Sequence, residues 1–448
     1  MPLDAAPADA LARFVLGTRA GDVPEAVRAR TVELMLDLVG VAAAARAMPA
    51  ARIGRDVAVR LWGAGRPGDA APLLLDGRVA SKAGAAYAGA TQIDALDAHD
   101  GHVLTKGHAG CALLPALLAM APPDAPGAEA VTAMALGYEI GTRAGIALHA
   151  TAADYHTSGA WIALAVAALG VRLAGGDAAT LRHALGIAEY HGPRSPMMRE
   201  IDNPTMLHDG SGWGAMAGVT AAELALAGFT GAPALTVEGG DVAALWADLG
   251  EVWRTPEQYV KLFPVCRWAQ PAVEGARMLR EAHRIAPDAV RGIRIHTFHA
   301  AARLAAGVPE SPAMAQYSLA WPVAAMLARG ACGPAEVSGP AFADAAIRRL
   351  AALVTVEEDA TLTARFPAER IARVEIGMAD SRRLRSPPCR APGDAEAPIP
   401  RAGIIAKFRD YATPVLGEAR TARIEGCVLG LNEAPSLEAL RAALHPAP

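Results

Sequence analysis

Four stretches of this sequence gather the residue types that move protons or hold anions. IDALDAHDGHVLTKGHAG, residues 93–110, brings Asp94, Asp97, His99, Asp100, His102, Lys106 and His108 together in a chain with only 12 histidines. An imidazole titrates near neutral pH, so it can take a proton and return it within one turnover. Three readings of the stretch are open. It can be a polar surface loop, a divalent-metal site using Asp97, His99, His102 and His108, or an acid–base site. No HExxH spacing supports the metal, so no metal ligand is assigned and the acid–base reading is preferred.

In DYHTSGAWIALAVAALG, residues 154–170, His156 stands just before a long apolar helix. The free N–H groups at a helix start suit a carboxylate. In NPTMLHDGSGWGAMAGVTAAELALAGFTGAP, residues 203–233, Gly210, Gly212, Gly214 and Gly218 permit close backbone approach. Neither GxGxxG nor GxxxxGK[ST] occurs there, so no nucleotide is invoked and no cofactor is expected. In YVKLFPVCRWAQPAVEGA, residues 259–276, Lys261 and Arg267 are cations near an expected domain boundary. Clefts between domains favour small ligands. Cys266 has no partner histidine identifiable from spacing and reads as an inert buried thiol.

The elements that must position these groups are mostly helical. Of the 448 residues, 52% are hydrophobic, and alanine, the best helix former, carries much of that. Apolar periodicity marks helices within 6–50, two between Ser81 and Met120, and others over Ala128–His149, Ser158–Ala174, Ala178–His191 and Ala215–Gly228. Asp177 is the expected N-cap of the helix from Ala178. Residues 192–212 form a long loop of the kind that is often functional. Beyond Pro264 the pattern changes. Arg291–Phe298 and Ile371–Met378 alternate as half-buried strands do, Val354–Val356 is a third candidate, and helices over Ala313–Arg329 and Pro340–Ala352 lie between. The expectation is a large all-helical domain plus a smaller α+β lid domain: 1–262 helical, 265–390 the lid, 395–448 a C-terminal return to the helical domain.

The charge balance, 46 acidic against 42 basic residues, shows no basic stripe, so nucleic acid is not an expected partner. No apolar run reaches the ~20 residues a bilayer needs, and the N-terminus has no secretory pattern. Five scattered cysteines form no CxxC pair and read as reduced, which points to the cytoplasm.

Taken in order, these stretches resemble the MmgE/PrpD family, which includes 2-methylcitrate dehydratase, cis-aconitate decarboxylase and iminodisuccinate epimerase. LDAHDGH…GHAG is similar to the family's LDFDDTH…HPG, and DYHTSGAWIALAVAALGVRLAGGD to its GFHPTGTxGxxGAAxAAARLLGLD. LHDGSGWGAMAGVTAAELALAGFTGAP resembles LHxGxAAxxGxxAAxLAxxGFTGP, and VKLFPVC resembles KxYPxC. The likeness runs from about residue 10 to 420. It implies a helical domain built from both chain ends, a lid, and a homodimer. It also implies cofactor-free lyase chemistry on a small di- or tricarboxylate, as in a dehydratase or decarboxylase. An epimerase of a small dicarboxylate, a divalent-metal hydrolase and an inactive relative are the alternatives.

The resemblance carries catalytic roles to His156, His108, Asp97 and Lys261. His156 would be the principal acid or base, His108 the second, Asp97 its orienting partner, and Lys261 the holder of a substrate carboxylate. Substrate-binding candidates are Lys106, His102, Thr205, His208, Arg267 and Trp321. Three positions depart from the family pattern: Thr205 stands where a lysine is usual, Gln270 where a histidine is frequent, and Trp321 where the lid often has tyrosine. Lys106, in a loop one residue longer than the family's, is the first choice to replace the missing charge, with Arg194 and Arg199 as the others.

Overall fold

The computed structural model describes residues 3–304 and 307–445. Helices α1 (Ala6–Gly17), α2 (Glu25–Ala45), α3 (Pro49–Leu61), α4 (Lys82–Asp94), α5 (Gly110–Met120) and α6 (Gly127–Thr151) come first. They are followed by α7 (Gly159–Leu173), α8 (Ala178–His191), α9 (Met197–Asp202), α10 (Ser211–Leu226) and α11 (Leu235–Glu238). The mostly helical expectation holds. Asp177 caps α8 by accepting from the Thr180 N–H at 2.8 Å.

α7 is apolar on every face and buried along nearly its whole length. A helix of that kind belongs in the middle of a core, and α6, α8 and α10 surround it. Small residues allow the tight fit: a Cβ at Gly218 of α10 would meet Val166 of α7 at 2.5 Å. Between α3 and α4 the chain folds back on itself as a short antiparallel pair, β1 (Ala70–Pro72) with β2 (Val79–Ser81).

The second half carries α12 (Gln270–His283), α13 (His299–Ala302), α14 (Pro312–Gln316), α15 (Ala320–Arg329), α16 (Ala345–Ala351) and α17 (Ala360–Thr363). Its strands are β3 (Val290–Thr297), β4 (Val354–Glu358), β5 (Ile371–Met378), β6 (Arg383–Arg385) and β7 (Cys389–Arg390). They form one sheet ordered β4-β3-β5-β6, with β7 also on β5. β4 runs parallel to β3 and the other pairs are antiparallel. The helix expected over 313–329 is two helices, broken at Tyr317–Leu319. That break frees Tyr317 from a helical face.

α18 (Arg401–Leu416), α19 (Glu418–Leu429) and α20 (Glu438–Leu444) end the described chain. α18 lies along α2. Its Lys407, buried, pairs with Asp37 of α2 at 2.6 Å and donates to the Ala98 carbonyl at 2.8 Å. Among the described residues no single helix is long and apolar enough to cross a membrane.

Candidate active site

A small cavity of about 20 Å³ opens between the 94–110 loop and the second half of the chain. Its lining includes Asp97, Lys106, His108, Tyr155, Asp209, Tyr259, Lys261, Cys266, Arg267, Tyr317 and Arg370.

The loop's shape fixes one side. Gly101 exchanges both backbone hydrogen bonds with Tyr259, at 3.1 and 2.7 Å. The approach is so close that a Cβ at Gly101 would meet the Tyr259 hydroxyl at 2.5 Å and His108 Nδ1 at 2.7 Å. This places Lys261, two residues past Tyr259, against Asp97, and their side chains form a buried ion pair. Burial works against both charges. Lys261 nevertheless holds the Asp97 carboxyl below its usual range, and Asp97 keeps the Lys261 ammonium above its own. The Gln316 side chain ties the loop down, accepting from the Asp97 N–H at 2.7 Å and donating to the Ala95 carbonyl at 3.2 Å.

His108 is held from two directions. Its Nδ1 meets the Asp100 carbonyl, which can only accept, so Nδ1 carries the proton. Its Nε2 lies 3.4 Å from Asp209 Oδ2. Asp209 is fixed in turn by the Ser158 hydroxyl, which donates to it at 2.8 Å and accepts from the His108 N–H at 2.9 Å. Burial and Lys261 push the imidazole below its ordinary value, outweighing Asp209 and Asp97. The resting ring is therefore neutral, with its Nε2 lone pair unspent and a carboxylate ready to stabilise it once protonated.

The other side is cationic and unpaired. Lys106, at φ 51°, lies over the Tyr155 ring, 4.4 Å from its centroid. Arg370 donates to the Val103 carbonyl at 2.9 Å. Neither is ion-paired with a carboxylate among the described residues. Burial, and then Arg370, lower the Lys106 pKa. Arg267 also lines the cavity, but its guanidinium is bound to Asp394 and the Pro392 carbonyl and packs on the Tyr259 ring.

The cavity thus unites Asp97, His108, Lys261, Lys106 and Arg267. His208 sits just behind it, buried, its ring 5.4 Å from that of Tyr317. Four residues read as site candidates lie elsewhere. The backbone of His156 bridges to Pro196 as an extended strand does, and its neighbour Tyr155 takes the place on the lining. Alternation along an extended segment turns successive side chains to opposite faces. The His156 N–H meets His149 Nε2 at 3.3 Å. His102 binds Glu257 at 2.8 Å and accepts from the Leu104 N–H, which pins the loop from outside the cavity. Thr205 is exposed and accepts from the Leu207 N–H. Trp321 is buried, its indole donating to the Glu336 carbonyl at 2.8 Å, and Tyr317 lines the cavity instead. Gln270 shapes the loop below by donating to the Phe263 carbonyl at 2.9 Å.

Donor atoms of Asp97, His99 and His108 lie within 4.8 Å of one another, as do those of Asp94, His99 and Cys111. A cation in the first set would have to displace Lys261 from Asp97 and then face its ammonium. In the second, burial raises the Asp94 carboxyl and the Cys111 thiol and lowers His99, so all three favour their neutral forms. Burial likewise raises the Cys266 thiol, which is no nucleophile at neutral pH.

The MmgE/PrpD N-terminal domain matches residues 9–247 and the MmgE/PrpD C-terminal domain matches 263–433. The chain belongs to the MmgE/PrpD family. Members are generally lyases and dehydratases. No curated protein matches the chain. Within this family frame, Asp209, Arg370 and Tyr155 are cavity residues that sequence reasoning passed over. Asp209 had a signal, since it directly follows the histidine of the LHxG motif. Arg370 had none, being one among many arginines.

Proposed function

We propose that this MmgE/PrpD protein is a cofactor-independent lyase that removes a proton beside a carboxylate of a small di- or tricarboxylate, as 2-methylcitrate dehydratase does. One observation carries the reading: a buried, neutral His108, its Nε2 facing Asp209, shares a small cavity with two cations that have no acidic partner among the described residues. Lys106 and Arg370 would receive one carboxylate. Lys261 would hold a second beside the reacting carbon and stabilise the charge that develops there. His108 Nε2 takes the α-proton, those electrons form the new double bond, and the β-hydroxyl departs with a proton as water. Asp209 then faces an imidazolium it stabilises.

In this proposal the 265–390 lid supplies Tyr317 and Arg370, and the helical domain, closed by residues 395–448, supplies Asp97 and His108. The partner would be a second copy of the chain, supported by the exposed apolar side chains of Tyr190, Leu207, Trp213 and Phe229. The free cysteines support a reducing compartment, the cytoplasm.

His208 favours a second reading. It is another buried imidazole under the influence of Asp97, Asp209 and Lys261, with Nδ1 unpartnered. Two bases on opposite faces of one carbon would epimerise a dicarboxylate such as iminodisuccinate. Incubating the protein in deuterated water with citrate, 2-methylcitrate, aconitate and iminodisuccinate, followed by NMR, separates the readings. A lyase yields an alkene signal. An epimerase gives deuterium at the α-carbon without one. Absence of both for every acid would sink the proposal.

A further inference from the structure

Elimination needs a donor for the departing group as well as a base, and His108 supplies only the base. Of the three tyrosines lining the cavity, Tyr155 spends its hydroxyl on the Lys106 carbonyl and Tyr259 lies under Arg267, whereas Tyr317 stands beside Asp97, Asp209 and Cys266. Alone it donates badly. Burial and then the neighbouring Glu200 push its pKa well above the ordinary value, so a bare phenolate there would be costly. Behind it stands Glu200 on α9, whose neighbours Met197 and Ile201 line the same cavity. Glu200 is only 7% exposed, forms no ion pair among the described residues, and neither carboxyl oxygen has a hydrogen-bond partner of good geometry. An ionised carboxylate in that position would be severely penalised, whereas a neutral acid would not. The groups facing it agree: Asp209 from the loop before α10 and Asp97 from the 94–110 loop add negative charge, and the Tyr317 hydroxyl opposes them.

We propose that Glu200 and Tyr317 form a proton relay, in which Tyr317 gives its hydroxyl proton to the departing group, turns its oxygen onto the Glu200 carboxyl and takes that proton in return. The phenol is left neutral, the Glu200 carboxyl becomes a carboxylate, and the proton that His108 removed from substrate returns through solvent to restore it. Tyr317 is the group that meets substrate, and Glu200 acts through it. The relay rests on the lyase reading above, so its test has one arm that needs no turnover.

That arm is infrared spectroscopy of the full-length protein at neutral pH. One protonated-carboxyl band of the wild type should be lost in Glu200→Gln and shifted in Tyr317→Phe, while the bands of Asp94 and Asp100 persist in both variants. The kinetic arm uses whichever acid the wild type turns over. Glu200→Gln should lower kcat by about 100-fold, within the range for lost general-acid catalysis, with KM little changed. It should also remove the fall in kcat that the wild type shows as pH rises and Glu200 ionises. Tyr317→Phe should cost as much, and the double variant no more than either single, because the two act in series. Glu200→Asp should restore part of the rate and the alkaline fall. If no band is lost in Glu200→Gln, or if that variant keeps the wild-type kcat and pH profile, the relay is overturned. If the wild type turns over no carboxylate, the infrared arm alone decides whether Glu200 holds a proton against Tyr317.

Discussion

The two sides of the cavity follow opposite rules of charge. On the Asp97–His108 side every ionisable group answers another: Lys261 to Asp97, Asp209 to His108, and Asp209 again to Ser158. On the Lys106–Arg370 side two cations share one wall with, among the described residues, a π-face and a carbonyl for company and no carboxylate. Burial penalises charge on both sides, so the difference marks two tasks. Interlocked groups keep a defined resting protonation state and a fixed geometry, from which the proposed proton transfer would start. Unanswered cations hold an electrostatic deficit that an anionic ligand would relieve.

That contrast can be broken most forcefully at His108. His108→Gln should reduce the turnover, or the deuterium exchange, by about 100- to 10,000-fold, the usual span for a lost general base. His156→Gln, off the lining, should reduce it far less, and equal losses would move the chemistry to His156. Next comes Lys261→Met, which leaves Asp97 buried and alone. Urea unfolding should show about 3–5 kcal/mol of lost stability, much of it recovered when Asp97→Asn is added. On the cationic side, Lys106→Met or Arg370→Met should leave stability nearly unchanged and raise KM by about 10- to 100-fold, the range for one charged hydrogen bond. A substrate analogue with one carboxylate amidated should erase the difference between wild type and variant. A stability loss as large as that of Lys261→Met would show the two sides to be alike after all.

The smallest effect concerns Asp100, whose carbonyl holds His108 and whose carboxyl accepts from Tyr138 at 2.5 Å. Burial raises this carboxyl to about 7. Between the ordinary value of about 4 and that point, the folded protein keeps a proton that the unfolded chain has released. Raising the pH through this window therefore favours unfolding. Asp100→Asn should gain on the wild type over the same window, by about 1 kcal/mol or more. Parallel curves for the two proteins in thermal melts at stepped pH would refute the assignment.

What the sequence made legible follows local physics. The strand Ile371–Met378 and the helix Ala178–His191 have the expected bounds, because alternation and capping are read within a few residues. The clustering of Asp97, His108 and Lys261 was legible through motifs. Groups delivered from afar were not. Arg370 reaches Val103 across 267 residues, and Glu200 belongs to a six-residue helix inside a stretch that reads as loop. His156 shows the limit in the other direction. Its place before α7 looked suited to chemistry, but one step of backbone alternation gives that position to Tyr155.

Lys407 has a consequence in time as well as space. The residue whose ammonium steadies the Ala98 carbonyl, beside Asp97, is translated 309 positions after it. A ribosome that has released the whole 94–110 loop has therefore not yet made the prop beneath it. The 94–110 loop should settle into its final form only after α18 has been made.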